Sequence, residues 1–305
     1  MTFLFGSYLS DTLHWPYLFR INWAQMQPEL SIPVNEEAMI RRHPVVAYFA
    51  LTFLISWSGA LAVAAPHLIR RQPLPKITGL LMFPVMLLGP SLAGLLLTRI
   101  VDGKRGLGDL FFAMFRAWVP PRWYAVLLIP PTLVLTVLIF LQRFVSPVYA
   151  PNLFWVGVLF GIPAGFLEEI GWTGYALQKM LSANDGLAPS VLLGLLWAVW
   201  HLPVINYLGT ATPHGAYWLP FFLAFSLAMT AMRVLIAWIY ANTKSVLLAQ
   251  LMHVSSTGSL VVFSAAGVTA AQETIWYGLY GTALWVAVGV VVKTFTRRLR
   301  AASKL

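Results

Sequence analysis

The chain has 305 residues, of which 59% are hydrophobic and only 10% charged, with a mean hydropathy of +0.75. That is too little polar side chain to coat a water-soluble globule of this size, so composition excludes a soluble domain and predicts an all-α, polytopic membrane protein. The net charge of +10 comes from bases set in short stretches beside apolar runs rather than in one patch, which argues against nucleic acid and for contact with lipid headgroups.

Residues 1–43 mix aromatic and polar side chains and are predicted to be an interfacial or mobile lead-in, with Trp15, Tyr17, Phe19 and Trp23 at headgroup level. The first residues lack a basic segment and soon meet Asp11, His14 and Pro16, so no cleaved signal peptide is expected there. A membrane helix needs about 20 mostly apolar residues. On that rule the chain has about eight spans, near 44–65, 79–101, 122–145, 152–180, 187–208, 216–241, 245–267 and 273–294, forming one transmembrane domain over 44–296. Gly89-Pro90-Ser91 and Pro130-Pro131 fall inside the second and third spans, where a kink is tolerated if neighbours satisfy the released backbone groups. Between those spans, residues 107–116 are too short to cross and rich in Phe, and are predicted to lie along the interface as a short helix.

Charge then orients the bundle. Placing both termini and the even-to-odd loops on one side collects 15 of the 20 Lys and Arg; Arg70, Arg71, Lys76 and Arg143 fall on the other, and Arg233 lies within the sixth span. The positive-inside rule predicts cytoplasmic termini, with residues 297–305 a basic cytoplasmic tail. The expected location is the plasma membrane of a prokaryote.

Chemistry concentrates in the fourth span, at Gly165-Phe166-Leu167-Glu168-Glu169-Ile170-Gly171-Trp172-Thr173-Gly174-Tyr175. Two adjacent carboxylates inside an apolar helix cost several kcal/mol unless they face a polar cavity or a partner, so they point to function. On a helix Glu168 stands one turn from Trp172, and Glu169 one turn from Thr173. His201 and His253 lie in two further apolar segments and can converge with the acids in the bundle interior. A water held between a carboxylate and an imidazole can attack a carbonyl, and a second imidazole can stabilise the oxyanion. The same groups suit a proton-coupled transporter. With no cysteine, a thiolate nucleophile or thiolate metal site is excluded. His201, His253 and Glu168 are a conceivable three-ligand zinc set, but without a His-Glu-x-x-His helix no metal or other cofactor is favoured. Arg233 is read as an ion-pair partner or a snorkelling end residue, Trp197, Trp200, Trp218 and Trp238 as lipid-facing or packing residues, and His14, His43, His67 and His214 are given no role.

The order Glu-Glu-x-x-Trp-x-Gly, aromatic-x-x-x-His and His-x-x-x-polar resembles the CPBP family of intramembrane proteases, which includes CAAX prenyl endopeptidases and bacteriocin-processing or self-immunity proteins. Leu88-Gly89-Pro90-Ser91, Pro121-Arg122-Trp123-Tyr124 and Trp238-Ile239-Tyr240-Ala241-Asn242-Thr243 add to the likeness, which covers most of residues 44–267. The resemblance implies an intramembrane endopeptidase. Glu168 and His201 would hold and activate the water, Glu169 would be the second motif glutamate, and His253 would stabilise the oxyanion. The substrate would be a peptide or protein, lipidated or a bacteriocin precursor. Two positions depart from the pattern: the family usually has Arg where this chain has Thr173, and Asn or Asp where it has Thr257. A catalytically impaired binding or self-immunity protein is the alternative these departures suggest. An arginine at 173 would pair with Glu169, whereas threonine offers a hydrogen bond and no charge. Arg233 is the one base inside a span that can replace the cation, and Thr173→Arg is expected to raise the activity of an impaired protease.

Overall fold

The computed structural model describes residues 34–183, 187–207 and 214–302; most of the predicted lead-in, with its Trp and Tyr side chains, lies outside them. Every regular element among the described residues is helical. In chain order these are α1 (Val34–Arg42), α2 (Pro44–Ile69), α3 (Lys76–Val101), α4 (Gly103–Met114), α5 (Arg122–Val126), α6 (Ile129–Phe144), α7 (Val156–Pro163), α8 (Glu169–Gly171) and α9 (Gln178–Ala183). They are followed by α10 (Leu187–Trp200), α11 (Leu202–Tyr207), α12 (Trp218–Thr243), α13 (Val246–Val262) and α14 (Ala270–Ala302). The boundaries follow local chemistry. Pro44 opens α2 at its first turn, where its missing N–H costs nothing. Lys244 ends α12 in the left-handed region at φ 54°, and the Ser245 hydroxyl then caps α13 by accepting from Leu248 N at 3.1 Å.

Among the described residues, five helices are long and apolar enough to cross a membrane, at 44–69, 77–101, 122–144, 215–243 and 270–291. The three other predicted spans take different forms. Residues 156–183 run as unbroken helix but change pitch, with wide π turns at Ala164–Glu168 and Trp172–Leu177 on either side of α8. Helix α10 stops at Trp200 because Pro203 has no N–H to continue the ladder and its ring collides with the carbonyl of residue 199, so the chain turns at His201 before α11. Helix α13 is apolar but shorter than a full span. The predicted interfacial segment is α4, and α14 continues helical through the start of the predicted tail.

Burial shows which helix is central. The apolar window of 215–243 is 67% buried, against 22% for 44–69 and 28% for both 122–144 and 270–291. Helix α12 therefore forms the axis, flanked by α10 and α14, while α13 packs along α7 and the first π turn. Close approach on that side needs glycine: a Cβ on Gly161 would lie 2.9 Å from Gly258 Cα, and one on Gly165 would lie 2.6 Å from Gln250 O. A π turn also strains the helical ladder, and neighbours accommodate it. Ser91 Oγ donates to Leu167 O at 2.7 Å from α3, and Gln250 Nε2 donates to Phe166 O at 3.1 Å from α13. The acidic pair is thus held on an irregular helix clamped from two sides.

Candidate active site

The pitch changes around α8 set the two glutamates in different company, although both are almost fully buried. Glu169 is the paired acid. Its Oε2 accepts from Arg233 Nη1 at 2.8 Å and from the Thr173 hydroxyl, and its Oε1 faces His253 Nδ1 at 2.7 Å. Glu168 touches no cation among the described residues. Its Oε2 accepts from two indoles, Trp197 Nε1 at 2.7 Å and Trp172 Nε1 at 3.1 Å. Its Oε1 makes no hydrogen bond to any described residue. Desolvating a carboxylate is costly unless hydrogen bonds replace water, and the two sites solve this differently: a salt bridge for Glu169, neutral donors for Glu168.

Arg233 reaches Glu169 because α12 approaches α10 closely at Gly194, where a Cβ would stand 2.7 Å from Thr230 Cα and 3.2 Å from Arg233 Cβ. The guanidinium lies 4.3 Å from the centroid of the Trp197 ring. Its Nε and Nη2 have no hydrogen-bond partner among the described residues, so the indole face is what meets the rest of its charge. Trp197 thereby joins the whole site. It donates to Glu168, stacks under Arg233, and lies edge-on to both His201 and His253, with centroids at 5.2 and 5.1 Å.

The histidine tautomers follow from their partners. His201 Nδ1 lies 2.7 Å from the Trp197 carbonyl, which can only accept, so Nδ1 carries the proton and Nε2 keeps its lone pair. The His201 ring is wedged against Trp200 and Phe225 as well as Trp197. His253 Nδ1 is directed at a carboxylate and likewise carries a proton, leaving Nε2 as its outward nitrogen.

The sequence candidates divide accordingly. Glu168, Glu169, Thr173, Arg233 and His253 form one buried cluster, and His201 joins it through Trp197. Thr257, one turn along α13 from His253, makes no hydrogen bond to the cluster. The zinc set of Glu168, His201 and His253 is not assembled: among the described residues no three His, Asp or Glu side chains stand close enough to hold a metal ion. Arg233 is an ion-pair partner and does not snorkel. Trp197 and Trp200, expected to face lipid or pack, are both 1% exposed and border the acids and His201. The signal for Trp197 was its place four residues before His201; that for Trp172 was its place four residues after Glu168. His214, given no role, is also buried, with Nε2 3.1 Å from Glu273 Oε2 and its ring stacked on Phe221 at 3.8 Å, so it ties the start of α12 to α14.

Comparison with known proteins locates the same region. The family model for "Type II CAAX prenyl endopeptidase Rce1-like" matches residues 150–259, the stretch from the loop before α7 into the last turn of α13. Over 94 residues the chain is 33% identical to CAAX prenyl protease 2 of Methanococcus maripaludis, an alignment covering 30% of this chain and 34% of that protein. The match thus spans about a third of the length of that relative.

Proposed function

We propose that this chain, which belongs to the CPBP family and is an integral membrane protein, is an intramembrane endopeptidase that hydrolyses a peptide bond with a water activated by Glu168 and His201. The supporting observation is the division of labour between adjacent acids. Glu169 has both oxygens engaged by Arg233, Thr173 and His253, whereas Glu168 is steadied through Oε2 by Trp197 and Trp172, and the Trp197 ring also packs edge-on against His201. A general base needs an available lone pair held in one orientation, and the indole bonds of Glu168 meet that need.

In this reading one water donates its two hydrogens to Glu168 Oε1 and His201 Nε2. Its oxygen forms a bond to the scissile carbonyl carbon as its proton passes to Glu168, and the carbonyl π electrons move onto oxygen. His253 donates through Nε2 to that oxyanion, which requires protons on both its nitrogens because Nδ1 is committed to Glu169. Collapse of the intermediate breaks the C–N bond, and Glu168 returns its proton to the leaving amine. Carboxylate and imidazoles supply all the proton transfers, so the reaction is proposed to run without metal. The carboxylic acid and amine products balance the peptide and water consumed.

The substrate is proposed to be a membrane-borne peptide or protein, prenylated as the name of the archaeal relative suggests, with a bacteriocin precursor as the other class. The location proposed is a prokaryotic plasma membrane, with both termini in the cytoplasm as the distribution of Lys and Arg favours. The test is cleavage of a quenched-fluorescent peptide, with and without a prenyl group, by purified protein in detergent. Glu168→Gln should lower kcat by roughly 100-fold or more. Wild-type turnover in that variant removes Glu168 from the mechanism, and no cleavage of either peptide favours the non-catalytic immunity reading.

A further inference from the structure

A second polar site lies beyond the acids, at one end of the bundle. A cavity of about 470 Å3 opens among α3, α4, α9 and α12, walled by Arg105, Arg116, Lys179 and Lys244 and by two acids, Asp102 and Asp109. Lys179 Nζ is 2.5 Å from Asp102 Oδ1, which sets one base against one acid. Arg105, Arg116 and Lys244 then share a concavity with the single carboxylate of Asp109. The chain converges these charges by design of its turns. Lys244 is the left-handed residue that swings off the end of α12, and Arg105 sits in the first turn of α4. Like charges in a concave, partly desolvated wall repel one another, and a bound anion relieves the repulsion.

The rim identifies the kind of anion. Phe112 lines the cavity mouth, and Phe112, Phe115 and Trp118 are 71, 76 and 97% exposed. They continue the aromatic surface of the amphipathic helix α4, which is too short to cross a membrane and suited to lie in its headgroup layer. A cationic hollow edged by exposed aromatic rings matches a molecule with a phosphate at one end and hydrocarbon at the other. We propose that this cavity binds the phosphate group of an anionic phospholipid, whose acyl chains run over Phe112, Phe115 and Trp118. The volume accommodates a phosphoglycerol headgroup. Gln178 and Lys179 prolong the helical run that carries Glu168 and Glu169, and Lys244 caps the helix that carries Arg233. A phosphate held between them therefore braces the two elements that form the Glu169 ion pair. The site stands whether or not the protein is a protease.

The test reads binding directly. Delipidated protein in neutral detergent is mixed with phosphatidylglycerol, with phosphatidylcholine or with inorganic phosphate, and followed by native mass spectrometry and thermal unfolding. Phosphatidylglycerol should be retained and raise Tm, while phosphatidylcholine does neither. Arg105→Gln with Lys244→Gln should weaken that retention by roughly 30-fold, as expected for removing two bases near an anionic headgroup. Arg42→Gln with Arg122→Gln, equal in charge but outside the cavity, should leave it unchanged; all four side chains are exposed, so neither pair disturbs the core. Equal retention of the two lipids, or equal loss in both double variants, would overturn the proposal in favour of diffuse surface attraction. Full Tm gain and displacement of lipid by inorganic phosphate would overturn the lipid as its source.

Discussion

Arg233 offers the sharpest test of how the site is held together. Its Nη1 is 2.8 Å from Glu169 Oε2, and both side chains have no exposed surface. Arg233→Ala removes the one guanidinium that contacts Glu169 among the described residues, leaving a buried carboxylate short of its ion-pair partner. Breaking one side of a buried pair costs roughly 3–5 kcal/mol. The stacking of the guanidinium on Trp197 is lost with it, a contact worth about 2 kcal/mol when desolvated but not additive with the pair. The expected result is a fall in Tm of roughly 10 °C and loss of most turnover. Thr173→Arg, placed one helical turn from Glu169, supplies a guanidinium from the other side. In the Arg233→Ala background it should restore at least half of the lost stability, because the vacated volume lies against the same Oε2 that Thr173 already contacts. Alone, Thr173→Arg should now lower both Tm and turnover, since it forces a second guanidinium into a fully buried site that already has one. This reverses the expectation from sequence. The measurement is thermal unfolding of wild type, both single variants and the double in one detergent, with peptide cleavage alongside. If Thr173→Arg alone raises Tm and turnover, or if the double is no better than Arg233→Ala, the cation of this site is not supplied by α12.

Three further outcomes follow from the geometry. Trp197→Phe keeps a ring against His201 and His253 but removes the donor to Glu168, so turnover should fall roughly 10- to 100-fold with Tm little changed; unaltered turnover would show that Trp172 alone suffices to orient Glu168. Gly161→Leu drives a side chain into Gly258 and should cost roughly 1–3 kcal/mol or more, read as a lowered Tm, whereas Gly108→Leu, with open space around its Cβ, should not. Because the chain has no cysteine, Gln72→Cys and Ser303→Cys can be probed singly; impermeant thiol reagent on intact cells should label the first only, and the reverse pattern would invert the topology.

Much of the bundle was legible because its signals are one-dimensional. Length and apolarity mark a span, and an acid inside one marks a site, so residues 44–65 and the pair Glu168–Glu169 stand out without any contact being known. Pitch is a different kind of property. Whether residues 164–177 wind as α or π depends on Ser91 and Gln250 meeting carbonyls from other helices, and those partners are 76 and 84 residues away. The same limit explains Trp197. Apolar periodicity gives a tryptophan the same score whether it faces lipid or lies under a guanidinium, and only the approach of α10 to α12 at Gly194 decides between them.

Thr173 shows what a local pattern can and cannot imply. Counting along the helix correctly puts residue 173 beside Glu169, and its hydroxyl does meet that carboxylate. The missing charge at that position reads as a defect only while the partner of Glu169 is sought on the same helix. A carboxylate in a dry interior constrains its surroundings to supply a cation or several donors, but it does not constrain which helix they come from. Here α12, the most buried of the long helices, supplies it through Arg233. The departure at 173 and the arginine at 233 are therefore one feature: a threonine is accommodated next to Glu169 because the guanidinium enters from across the bundle, over Trp197, and closes the same electrostatic balance from the opposite face.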